Sequence, residues 1–143
     1  MELSTKGKGN LTELQCITAF YELGYQVSIP YGENNRYDFI ADVNGNLLRV
    51  QVKTSSYTDN LKNAIHFAVR SSRTNSTNNI RRSYSKKEID YFATYFNNQC
   101  YLVPVEETSS SYKTLRFSSQ NNNKTINWAA DYELAKQLQK IKE

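Results

Sequence analysis

Asp38, Gln51 and Lys53 stand within the run R-Y-D-F-I-A-D-V-N-G-N-L-L-R-V-Q-V-K-T, from Arg36 to Thr54. If a tight turn brings its halves together, a carboxylate, an amide oxygen and an ammonium share one small patch. Such a patch suits a hard divalent cation beside a phosphate. Asp38, the Gln51 oxygen and the backbone carbonyl of Val52 could supply Mg²⁺ with protein ligands, water and phosphate filling the rest. Lys53 could hold an attacking water or offset developing negative charge.

The elements that must position these groups can be read locally. Asn44-Gly45 lies between two strand-forming runs, the strongest short signal for a two-residue hairpin turn. Counting outward pairs Val43 with Asn46, Ala41 with Leu48, Phe39 with Val50 and Tyr37 with Val52, a largely apolar face. Arg36, Asp38, Ile40, Asp42, Leu47, Arg49, Gln51 and Lys53 then share the opposite face. Asp38 falls across from Gln51, side-chain roots ~5 Å apart. A solvated outer face explains the polar residues equally well, whereas Ile40 and Leu47 point to a covering layer. A bulge in the hairpin would move Asp38 to the other side.

A fourth group lies upstream. Asn10 reads as a helix N-cap, Leu11, Leu14, Ile17, Phe20, Tyr21 and Leu23 as an apolar stripe, and Gly24 as the stop. Glu13, three residues after Asn10, fits a capping-box glutamate. Beside an Asp/Gln/Lys patch it is also a candidate metal ligand or water-orienting base. Residues 1–9, with Lys6 and Lys8, read as a mobile basic arm.

Length and charge bound the rest. At 143 residues the chain is one domain's length. The net charge of +4 leans toward a polyanionic partner. One His and two Cys exclude a His/Cys zinc cluster and fit a reduced, cytoplasmic protein. No signal segment or membrane-length apolar run is seen, and no Gly-rich cradle for an organic cofactor. His66, on an alternating strand over 64–69, stays outside the chemistry.

Residues 70–87 hold Arg70, Arg73, Arg81, Arg82, Lys86 and Lys87 without an acid, among Ser, Thr, Asn and Tyr84. That mixture suits phosphate oxygens and base edges, and equally a solvated basic loop. Further strands are expected at 24–30, 90–96, 100–105 and 114–117, with Pro104 marking an edge. Ser85 and Glu88 form a second capping box, and a final helix is expected over 127–143.

Glu13, Asp38 in R-Y-D-F-I-A-D, and the Q-V-K of Gln51 to Lys53 resemble the PD-(D/E)xK nuclease superfamily. More narrowly, they resemble its homing endonucleases encoded in group I introns of bacterial tRNA genes, where glutamine replaces the second acid. Y-S-K-K-E-I-D-Y-F-A-T-Y and C-Y-L-V-P-V are similar to the region after the active site, so the likeness covers residues 7 to 105. The resemblance implies an α/β (α+β) fold with a mixed central β-sheet and flanking helices, over 1–143 as a single endonuclease domain. It implies a site-specific Mg²⁺-dependent DNA endonuclease, with Mn²⁺ as substitute. Catalytic residues would be Glu13, Asp38, Gln51 and Lys53, and metal ligands Asp38, Gln51, Val52 and Glu13. Double-stranded DNA would be held by Lys6, Lys8, Arg36, Arg70, Arg73, Arg81, Arg82 and Lys86. Double-strand cleavage needs two sites, hence a homodimer or tetramer. Tyr37 replaces the name-giving proline, and neutral Gln51 removes a negative charge. A restriction or junction-resolving nuclease, a non-catalytic DNA-binding relative and a basic RNA-binding domain stand as alternatives.

Overall fold

The computed structural model describes residues 2–74, 79–109, 111–119 and 125–142. Helix α1 spans Thr5–Glu22. Strands β1 (Gln26–Ser28), β2 (Phe39–Val43) and β3 (Asn46–Val52) follow, then β4 (Ser56–Tyr57) and β5 (Ala64–Ala68). After these come β6 (Arg70–Thr74), β7 (Asn79–Ser83), β8 (Tyr91–Phe96), β9 (Gln99–Pro104), β10 (Tyr112–Arg116) and helix α2 (Leu134–Leu138). The main sheet runs β1-β2-β3-β8-β9, a second β10-β5-β4, and β6-β7 form a two-stranded ribbon. The β3–β8 pair is parallel and the others antiparallel, so the central sheet is mixed.

The hairpin turn forms as expected. Asn44 and Gly45 both have positive φ, 54° and 87°, the geometry of the twist-matched two-residue loop. Phe39↔Val50, Ala41↔Leu48 and Val43↔Asn46 are paired. Pairing stops at Phe39, two residues short of the expected Tyr37–Val52 pair, and Tyr37 packs against a different apolar cluster.

Two cores lie on the two faces of the sheet. Phe39, Ala41, Val43, Leu48, Val50, Ala93, Cys100 and Leu102 bury one face against Cys16 and Phe20 of α1 and Leu134 and Leu138 of α2. Phe92, Tyr101 and Val103 present the other face to Ile65, Phe67 and Leu115 of the second sheet. The face beyond the hairpin core is thus covered, chiefly over β8 and β9. Ile40 is half-buried, but Leu47 is 64% exposed and is not under that layer.

Helix α1 differs from its expected reading at both its start and its buried face. Its N-cap is Ser4, whose Oγ accepts the Gly7 amide at 3.1 Å, so Lys6 and Lys8 are helical and exposed rather than part of a loose arm. The buried stripe is Thr12, Cys16 and Phe20, while Leu11, Leu14, Tyr21 and Leu23 are largely exposed. Gly24, at φ 89°, ends the helix. Its amide reaches the Tyr21 carbonyl and that of Tyr25 the Phe20 carbonyl, which satisfies two otherwise orphaned acceptors.

Among the described residues of the basic stretch, β6 and β7 pair from Arg70↔Ser83 to Thr74↔Asn79 rather than forming an unstructured loop. The Ser85–Glu88 turn is closed by the Ser85 amide donating to Glu88 Oε1 at 3.3 Å. The expected helix over 127–143 is instead a 3-10 turn at Ala129–Tyr132 followed by the short α2. A lateral bridge between Tyr101 and Glu133 spends backbone groups a continuous helix would need. Pro104 ends β9, an edge strand, where its missing donor costs nothing. His66 stacks on Tyr112 at 4.9 Å, a structural contact. Cys16 and Cys100 are buried free thiols. Among the described residues no helix is long and apolar enough to cross a membrane.

Candidate active site

Asp38 precedes β2 and Lys53 follows β3, which puts them at the same end of an antiparallel pair. The Asp38 amide donates to the Val50 carbonyl at 2.8 Å. Its Oδ2 accepts the Val52 amide at 2.7 Å. Asp38 therefore brackets Gln51, the residue across from which the hairpin count puts it. The backbone pairing ends here because the carboxylate takes an amide that a longer ladder would have given to a carbonyl.

The helix brings the fourth group. Thr12, buried in α1, donates its hydroxyl to the Lys8 carbonyl and lies 3.4 Å from the Thr54 hydroxyl. Glu13 follows Thr12 and Lys53 precedes Thr54, so this hydroxyl pair docks the helix beside the end of β3. With Ser4 as N-cap, Glu13 sits in the helix interior and is released from the capping-box role. Burial raises its pKa, and the neighbouring Asp38 charge raises it further.

Asp38 is itself raised, by burial, against the opposing pull of the Val52 amide and the Lys53 charge. Lys53 is lowered by burial; Asp38 works against that shift and Arg36 adds to it. Two carboxylates short of positive charge beside a half-buried lysine form a site that a divalent cation would relieve. Among the described residues no group of three or more His, Cys, Asp or Glu side chains could hold a metal. A cation between Glu13 and Asp38 would thus take its remaining ligands from neutral oxygens, and Gln51 and the Val52 carbonyl are of that type. The residues fit a hard cation that keeps several waters.

Lys53 Nζ donates to the Arg70 carbonyl at 3.3 Å and lies 5.2 Å from the centre of the Tyr84 ring. Arg36 does not present a free cation. Its Nη1 donates to Ser71 Oγ at 2.7 Å and its Nη2 to the Ser83 carbonyl at 2.8 Å. Its Nε pairs with Glu88 Oε2 at 3.0 Å, and its guanidinium lies 3.8 Å above the Tyr84 ring. Arg36, expected among the DNA contacts, is thus engaged within the protein. Arg82 shares Glu88 at 2.9 Å but is 66% exposed. Arg70 is exposed, and Lys86 is 70% exposed with Glu106 at 3.5 Å. Arg73 lies on β6 and Arg81 on β7, their side chains outside the described residues.

Thr12, Thr54, Tyr84, Glu88 and Arg36 in its clamping role were not singled out from sequence for the site. The buried-stripe spacing of Thr12 and the Ser85–Glu88 box were the available signals. A groove of about 420 Å³ between α1, the β8–β9 turn and α2 contains none of the four candidate residues.

A mixed central sheet with few flanking helices matches the PD-(D/E)XK nuclease fold. The model of the PD-(D/E)XK endonuclease family matches residues 3–135, and the chain belongs to that family. Nucleases of this family generally use divalent metal ions. Among solved structures the chain is similar to the bacterial homing endonuclease I-Ssp6803I, at 29% identity and a TM-score of 0.78, over 96% of this chain and 95% of that one. No match is found among curated proteins.

Proposed function

We propose that the protein is a site-specific, Mg²⁺-dependent DNA endonuclease, a homing enzyme that makes a double-strand break, with Mn²⁺ as a substitute ion. The observation that carries this reading is Asp38 at the end of the β2–β3 hairpin, its carboxylate held by the Val52 amide at 2.7 Å and its charge acting on both Glu13 and Lys53. Similarity to a homing endonuclease along nearly the whole chain supports the narrower class. Asp38, gripped by the Val52 amide, cannot swing away and offers its remaining lone pairs to a cation. Gln51 and the Val52 carbonyl add neutral oxygens. Bound there, Mg²⁺ supplies positive charge beside the scissile phosphate and acidifies water. Lys53 aligns the attacking water or offsets charge on the phosphate, and Glu13 orients that water or accepts its proton.

Cutting both strands requires two such sites, so a homodimer or tetramer acts on the duplex, in the cytoplasm. Arg70, Arg73, Arg81, Arg82 and Lys86 of the ribbon region, with Lys6 and Lys8 of α1, contact the DNA. Incubating a supercoiled plasmid that carries a candidate site with Mg²⁺, then with EDTA, tests the reading. Wild type should cut only with the metal, and Lys53→Ala should bind without cutting.

A second reading rests on Gln51. A neutral side chain in place of an acid weakens cation binding, as expected of a DNA-binding relative that does not cut. Tight binding of a specific duplex with no nicking at any Mg²⁺ or Mn²⁺ concentration would establish it. Flanking nucleotides of the reading frame would separate an intron-encoded homing enzyme from a restriction or junction-resolving one.

A further inference from the structure

Arg36 stands two residues before Asp38, in the segment that leads into β2. Its guanidinium holds both strands of the ribbon, β6 through Ser71 and β7 through the Ser83 carbonyl. It also pairs with Glu88, which closes the turn after β7. The Tyr84 ring lies under Arg36 at 3.8 Å and within 5.2 Å of Lys53 Nζ. Lys53 is meanwhile tied to the first ribbon carbonyl, that of Arg70. The base of the ribbon is therefore joined to the rest of the chain at Arg36, two residues before Asp38, and at Lys53.

These contacts exceed what holding a hairpin in place requires. A planar fork with two directional bonds, an ion pair and a stacked ring fixes orientation as well as distance. A tilt of the ribbon must move the Arg36 backbone, or break the fork, and must also move the carbonyl that occupies the Lys53 ammonium. The Lys53 bond to a neutral carbonyl is long and readily exchanged for a phosphate oxygen.

We propose that Arg36 is a positioning residue that couples the seating of the β6–β7 ribbon on DNA to the placement of Asp38 and Lys53. On this view, which rests on the nuclease reading, the ammonium is parked on the Arg70 carbonyl until a docked ribbon withdraws it. Recognition and cutting are then linked without a separate moving lid. Lysine at position 36 keeps the charge but cannot span Ser71, Ser83 and Glu88 at once, so it separates charge from geometry.

The test uses the full chain carrying Arg36→Lys, with Ser71→Ala as a milder variant that removes one contact. A duplex recovered from randomised DNA by binding in Ca²⁺ is the probe, and hydrogen exchange at the Val52 amide reports Asp38 without any cutting. Coupling predicts faster Val52 exchange at an unchanged melting temperature. It also predicts an unchanged Kd for the duplex and a saturating cleavage rate about a hundredfold lower in Mg²⁺ for Arg36→Lys, with a smaller fall for Ser71→Ala. Unchanged Val52 exchange, with cleavage reduced only as far as binding is, would overturn the proposal and leave the nuclease reading intact. Faster Val52 exchange in a protein whose wild type cuts no selected duplex would uphold the link and sink the nuclease reading instead.

Discussion

The carboxylate of Asp38 accepts the backbone amide of Val52 at 2.7 Å. That one bond fixes an acid on the strand opening β2 against the strand that carries Gln51 and Lys53, at the point where the backbone ladder stops. The acid is thereby held in a partly buried position it would not choose as an anion, and several consequences can be measured.

Asp38→Asn keeps an acceptor for Val52 and removes the charge. The Asp38 pKa is raised in the fold, above its ordinary 3.8. The native state thus binds more protons than the unfolded chain between the two values, and stability falls as pH rises through that window. Asp38→Asn should melt higher than wild type at pH 7. The gain should vanish below about pH 3.8. Cleavage should fall by roughly a hundredfold or more. Thermal melts across pH and a plasmid assay read the two effects.

The pH–rate profile should be narrowed from both sides. On the proposed mechanism Glu13 and Asp38 are ionised when they hold the cation, and both are raised, so at low Mg²⁺ the acid limb should lie above the ordinary carboxylate range. Lys53 must be protonated and is lowered from 10.5, so the alkaline limb begins early. Higher Mg²⁺ should move the acid limb down, because cation and proton compete for the same oxygens. An acid limb indifferent to Mg²⁺ would show that these carboxylates do not bind it.

Gln51→Glu restores a negative charge beside two carboxylates that already hold protons too well. The metal-free protein should melt lower, and Mg²⁺ should bind at least about tenfold tighter, about 1.4 kcal/mol. Calorimetric titration and melting with and without Mg²⁺ check both signs. Tighter binding without added cutting would mark Gln51 as tuned for turnover rather than affinity.

Arg70→Ala and Lys86→Ala should weaken binding to all duplexes alike and lower the salt slope by about 0.9 per lost phosphate contact. The Lys86–Glu106 pair is exposed on both sides, and such pairs hold a lysine weakly, so its ammonium is available to phosphate. Binding isotherms at several salt concentrations measure the slope.

Gly24→Ala separates fold from chemistry. Nothing lies within 4 Å of a Cβ there, but the φ of +89° does not suit a side chain. The cost should be about 1–2 kcal/mol in denaturant unfolding, with cleavage per folded molecule unchanged.

The sequence by itself determined what is encoded within a few residues. Asn44-Gly45 specified its turn because only that turn matches the strand twist, and period-two alternation then set the register of Phe39 to Val43 on Asn46 to Val50. Asp38, Gln51 and Lys53 stood out as candidates from residue type and spacing along that register, and Glu13 from its place on the first helix. Other features were decided by contacts between distant segments. Ser4 rather than Asn10 caps α1, and the helix turns Thr12, Cys16 and Phe20 inward because those small or flat side chains fit the sheet. Tyr37 left its expected face once Asp38 ended the ladder. The basic stretch became a paired ribbon through backbone bonds, which leave little trace in side-chain pattern. Arg36, expected among the DNA contacts, also clamps the ribbon, because Ser71, Ser83, Tyr84 and Glu88 meet only in three dimensions. Local chemistry chose the candidate groups, and long-range packing decided which of them face one another.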